Sequence, residues 1–221
     1  DNTQLANYIE LAFLRYQINR NWSAKVGRFS TNSYLYTDYR YVGHLLNWVR
    51  PSVEMYSTAG ALGNMDGLQA AYTLDTDFGA VKLALSYGQS NFTNDVEGGE
   101  LSIDYSKLTL LNVEFQSTEW RFHAAYIRST LDDFDTVGLG ELRVVESTLP
   151  PLFRPFGREL LDNLVPDGND ITYMSLGGQY FFDNLELNAE FFDYNSDWVL
   201  AGSAVGGYVS LAYQIENLKP F

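Results

Sequence analysis

The stretch Ala-Val-Lys-Leu-Ala-Leu-Ser-Tyr-Gly at positions 80–88 decides the fold. Val81, Leu83, Leu85 and Tyr87 fall on one side of an extended chain. Ala80, Lys82, Ala84, Ser86 and Gly88 fall on the other. Alternation with a period of two is the mark of a half-buried strand, because successive side chains point to opposite faces. The second side is small and polar and carries a charge. In a soluble sheet the apolar side covers a packed core. In a membrane barrel the same side meets lipid, and the small, polar side meets a wet lumen.

Other segments repeat the pattern and bring the count to about nine strands. Leu68, Ala70, Tyr72 and Leu74 alternate with Gly67, Gln69, Ala71 and Thr73. Trp120, Phe122, Ala124 and Tyr126 alternate with Arg121, His123 and Ala125. Leu185, Leu187, Ala189 and Phe191 alternate with Glu186, Asn188 and Glu190. Val205, Gly207, Val209, Leu211 and Tyr213 alternate with Tyr208, Ser210 and Ala212. Leu111, Val113 and Phe115 oppose Asn112 and Glu114, and Trp22, Ala24 and Val26 oppose Ser23 and Lys25. Met174, Leu176 and Tyr180 mark one more apolar side. The first segment, 7–18, is irregular: Ile9, Leu11 and Phe13 predict an outward face, after which Leu14, Arg15 and Tyr16 break parity. A bulge or a snorkelling Arg15 accounts for the break.

The joins between segments alternate in length. Short polar turns are expected near 19–21, 75–77, 116–119, 182–184 and 216–217, and long connections near 31–64, 90–100, 129–170 and 195–203. This rhythm predicts an all-β, antiparallel up-and-down transmembrane β-barrel with short periplasmic turns and long extracellular loops. Tyr16, Trp22, Tyr72, Phe78, Phe115, Trp120, Tyr180 and Phe182 flank the short turns, as an interfacial aromatic girdle would.

Composition narrows the function classes. The 221 residues form one domain, 1–221, with no cysteine and a net charge of −14. That sign disfavours nucleic-acid binding. Acidic loops of such a protein are expected to share divalent cations with lipopolysaccharide. No apolar run approaches the roughly 18 residues of a spanning helix. The chain opens without the basic and apolar regions of a signal peptide, which an exported protein would have lost.

The string from Tyr16 through Asn21, Trp22 and Ser23 to Val26-Gly27-Arg28, then Tyr36-Thr37-Asp38-Tyr39, Trp48-Val49-Arg50-Pro51 and Val53-Glu54-Met55-Tyr56, resembles porins of Gram-negative outer membranes, the porin family of proteobacteria. The resemblance implies passive diffusion of small hydrophilic solutes or ions, a homotrimer, and a location in the outer membrane among lipid and lipopolysaccharide. It implies about sixteen strands in a whole barrel, so this chain is expected to be an internal segment, incomplete at both ends. Residues 31–64 are the expected inward-folding constriction loop, and 129–170 a long extracellular loop, helical near 158–164, that folds over the mouth.

A pore acts by geometry and field, and charged rings at a constriction select by sign and size. Parity puts Lys25, Lys82, Glu114, Arg121, His123, Glu186 and Glu190 on the lumen side. Arg28, Asp38, Arg40, Arg50 and Glu54 join them if the long loop folds inward. No metal site or cofactor is expected, with only two histidines, His44 and His123, and an acidic run, Asp132, Asp133 and Asp135, that lacks calcium-loop spacing. The familiar catalytic motifs are missing. Glu186 and Glu190 stand about 13 Å apart by strand rise, beyond the roughly 5 to 9.5 Å of a glycosidase pair. The chain is therefore expected not to be an enzyme. The rival reading is a soluble or surface-exposed β-barrel or sandwich that binds a ligand or acts as an adhesin. That reading requires a dry interior and a hydrophilic exterior.

Overall fold

The computed structural model describes residues 9–37, 62–96, 99–136, 144–164, 168–198 and 201–215. Nine strands run in sequence order through one antiparallel, up-and-down sheet: β1 (Ala12–Gln17), β2 (Trp22–Ser30), β3 (Asn64–Thr76), β4 (Gly79–Val96), β5 (Gly99–Gln116), β6 (Trp120–Thr136), β7 (Asn169–Phe182), β8 (Leu185–Ser196) and β9 (Ser203–Tyr213). Each strand pairs with its chain neighbours. Among the described residues β1 does not meet β9, so the sheet is not closed. The connection between β6 and β7 holds a short helical turn at 144–148 and the helix α1 (Arg154–Leu164). No described helix is long and apolar enough to cross a membrane.

The apolar rows point outward and stay exposed. Leu68 is 60%, Leu85 55% and Val209 74% accessible. On the inner side the alternate positions are buried: Ser23, Gln69, Ser86, Asn112, His123, Ser175, Gln179, Asn188. This is the reverse of a soluble sheet, where apolar positions fill the core.

The outward apolar row of β4 runs from Val81 to Tyr87 and then turns polar at Gln89 and Asn91. Roughly ten residues from the β4 turn to this change rise about 33 Å along the strand, or about 23 Å if tilted by about 45°. Neighbouring strands change at matching registers. Gln89 pairs with Asp66, and Asp66 with Arg28. The Arg28 guanidinium grips the Asp66 carboxylate at 2.8 and 2.6 Å. Further round, Arg128 pairs with Asp170 at 2.7 Å. These outward ion pairs rim the apolar band on its long-connection side. At the other rim, Trp22 packs on Tyr72 at 5.1 Å, and Trp120 stacks on Tyr180 at 4.0 Å and Phe122 at 5.5 Å.

Three expectations are corrected. The 90–100 region is not a long loop: β4 and β5 are 18 residues each and pair out to Val96 and Gly99. Register shifts between Gly88 and Ser90, and between Ser106 and Thr109, absorb the irregular sequence as bulges. In β1, Leu14 and Tyr16 stand opposite Val26 and Ala24, so they point outward, while Phe13 points inward. The β1–β2 ladder needs no bulge, and Lys25 Nζ lies 5.2 Å above the Phe13 ring. A cation over the ring compensates the inward aromatic. Finally, the inner side is not polar throughout. Toward the long connections Phe29, Met65, Leu110, Ile127, Tyr173 and Phe192 form an apolar cluster. The strands outrun the outward band there, and their inner positions pack against one another and against the start of the 31–64 connection.

Candidate functional site: an inward segment on a polar wall

After Ser30 the chain leaves the sheet and turns inward. Asn32 takes a positive φ of 46° at this bend, a conformation asparagine tolerates better than most side chains. Thr31 pins the base, its amide donating to the Gly63 carbonyl at 3.2 Å and its hydroxyl to that of Leu62 at 2.5 Å. Thr31, Ser33, Tyr34, Leu35, Tyr36 and Thr37 are all buried. Thr37 Oγ1 accepts from the Tyr34 amide at 2.7 Å and closes a compact turn.

The inner wall holds this segment from three strands, β5, β7 and β8. On β5, Asn112 donates to the Asn32 carbonyl at 2.6 Å, and Asn32 in turn donates to Glu114 at 3.1 Å. On β7, Ser175 donates to the Ser33 carbonyl, and Gln179 to the Tyr36 hydroxyl at 3.1 Å. On β8, Glu190 Oε1 accepts the Leu35 amide at 2.7 Å, and Asn188 Oδ1 accepts the Tyr36 hydroxyl at 2.7 Å. Buried polar groups cost stability unless paired, so a segment and wall that satisfy one another are fixed in place. Gly177 makes room: a Cβ there would lie 3.2 Å from that of Leu35. Tyr34 meets Tyr173 edge-on at 5.6 Å and joins the segment to the apolar cluster.

The charged candidates divide by strand. Lys25 on β2, Lys82 on β4 and Arg121 on β6 stand on the inner register. Glu114 on β5 accepts from Lys82 at 3.2 Å. Glu186 on β8 accepts from Gln179 at 2.8 Å and Asn188 at 3.1 Å. Glu190 also accepts the Tyr208 hydroxyl at 2.6 Å. His123 is buried beside Glu114 and the Ser33 backbone. Burial, reinforced by the carboxylates of Glu186 and Glu190, pushes the Tyr36 phenol above its ordinary range, so it stays a hydrogen-bond donor at neutral pH.

Arg28 stands apart from this set. It shares the outward register with Val26 and Asp66 and serves the rim of the apolar band. Asp38, Arg40, Arg50, Glu54 and His44 lie outside the described residues, as does most of the expected constriction loop. Asn32, Asn112, Ser175 and Gln179 were not singled out from sequence as site residues. Their signal was uncharged polar side chains at inner positions, which read as ordinary wall until a segment lies against them. Among the described residues no three His, Cys, Asp or Glu side chains come together as a metal site would require.

No family model matches this chain, and no curated protein sequence does. Two solved structures share its arrangement loosely. The outer-membrane expressed OmpT of Vibrio cholerae aligns over 94% of this chain at 14% identity with a TM-score of 0.38. A loop L8 deletion mutant of that protein aligns over 89% at 14% identity with a TM-score of 0.36. The chain spans 66% of the length of each. The expectation that the chain is not an enzyme is withdrawn, because missing catalytic motifs do not exclude catalysis.

Proposed function

We propose that this protein is an outer-membrane porin, a diffusion channel for small hydrophilic solutes or ions. The observation that carries the reading is its inverted polarity. An exposed apolar band lines the outward side of the sheet, while buried polar side chains on the inner side clasp residues 31–37. In hydrocarbon every spanning backbone group needs an internal partner, and strands in a barrel provide it. An inward segment narrows such a barrel and sets the size of solute admitted.

The inner register carries both signs, Lys25, Lys82 and Arg121 with Glu114, Glu186 and Glu190, and these charges set the field in the lumen. Dipolar solutes align in such a field. Contacts with lipid and lipopolysaccharide and a trimeric assembly belong to the same proposal. The test is reconstitution of the folded, full-length protein in planar bilayers. Stepwise current is expected. A folded preparation that stays soluble without detergent and carries no current would overturn the reading in favour of a soluble ligand-binding barrel.

A further inference from the structure

Phe156 on helix α1 and the apolar residues that lead into the helix are exposed. Phe156 is 70% and Leu152 82% accessible, and Phe153, Val144 and Val145 are also exposed. The sequence continues the stripe at helical spacing from Phe153 and Phe156 to Leu160 and Leu164. The helix is held to the preceding turn by Arg154 Nε, which donates to the Leu149 carbonyl at 2.9 Å, by Arg158, 3.7 Å from Glu146, and by Leu149 packed over Gly157. These ties fix its local shape and leave Phe153 and Phe156 exposed.

We propose that α1 lies on the phosphate-bearing surface of the outer leaflet, with Phe153 and Phe156 sunk among the acyl chains nearest the headgroups. This rests on the membrane reading above. Two observations favour lipid as the occupant. The connection carrying α1 leaves β6 and returns to β7 beyond the outward Arg128–Asp170 pair, on the aqueous side of the apolar band. Arg154 and Arg158, one turn apart, stay exposed beside Phe156 even while they hold Leu149 and Glu146, two cations in a chain of net charge −14. Aromatic and aliphatic residues on one side with arginines beside them are the composition of an interfacial helix, whose cations meet lipid phosphates.

The chain has no cysteine, so an introduced one takes a label uniquely. Full-length Phe156→Cys, Glu159→Cys and Val209→Cys variants would carry an environment-sensitive fluorophore in vesicles of phosphatidylethanolamine and phosphatidylglycerol. The label at position 156 should lose roughly half its emission to a headgroup-proximal nitroxide lipid, and the label at 159 should stay open to aqueous iodide. Changing Arg154 and Arg158 to Gln should weaken the nitroxide quenching. A label at 156 that iodide quenches, as in a solvated loop, overturns the inference. So does one that neither quencher reaches, as in a roof over the mouth or a contact with a second copy. The Val209 label separates the two levels: quenching there by a deep nitroxide upholds the membrane reading even if α1 fails, and its absence sinks both.

Discussion

The backbone amide of Leu35 donates to Glu190 Oε1 at 2.7 Å, joining residues 155 positions apart. The other oxygen of that carboxylate accepts Tyr208 at 2.6 Å. Glu190 thus uses both oxygens to fasten the inward segment to β8 and β9, and its role is as much mechanical as electrostatic.

Loss of this clasp should loosen the segment. Glu190→Ala leaves the Leu35 amide and Tyr208 hydroxyl without that acceptor, at a cost of about 1–3 kcal/mol. Single-channel recordings should show higher and noisier conductance than wild type. Unchanged conductance together with unchanged thermal stability would rule the clasp out.

Tyr36→Phe removes only the hydroxyl that bridges Asn188 and Gln179. We expect a loss of about 1–2 kcal/mol in unfolding free energy, measured by urea titration in detergent, because two buried amides lose a partner. Tyr87→Phe, which removes a hydroxyl from an exposed outward position, serves as the comparison.

Lys82 and Glu114 form a half-buried pair at 3.2 Å on the inner wall. Lys82→Met leaves the carboxylate with Asn32 as its donor and shifts the lumen toward negative charge. Reversal potentials in a salt gradient should move toward cation preference. Glu114→Gln should move them the other way.

Depth along the outward side sets tolerance to charge. Leu85→Arg places a cation within the apolar band, where it costs about 2–4 kcal/mol near the midplane. Gln89→Arg places the same charge at the polar rim, beside Asp66, and should be tolerated. Heat-modifiable gel mobility after refolding into lipid reads the folded fraction of each.

Gly67 and Gly88 stand opposite each other on β3 and β4. A methyl on Gly67 would meet the Tyr87 carbonyl and lie 2.9 Å from the Gly88 Cα. Gly67→Ala should therefore slow or weaken folding, by about 1–3 kcal/mol on the scale of overpacking, and a refolding assay will report it.

The chain's local order was written in its sequence. Period-two alternation fixes which side of a strand each residue takes, and polar turn residues mark where strands reverse. Nine strands, their outward rows and the inner positions of Lys82, Glu114 and Glu190 follow from these local rules. Parity failed where neighbours intervene: Phe13 turns inward under Lys25, and the β4–β5 pair extends through bulges that disguise it as a loop. Only the tertiary structure decided what the inner residues do. The bonds of Asn112, Ser175, Asn188 and Glu190 to residues 31–37 depend on the sheet curling until positions 80 to 155 apart meet. A strand's alternation is a property of adjacent residues. The partners of a buried carboxylate are a property of the curvature of the whole sheet, which no short stretch of sequence contains.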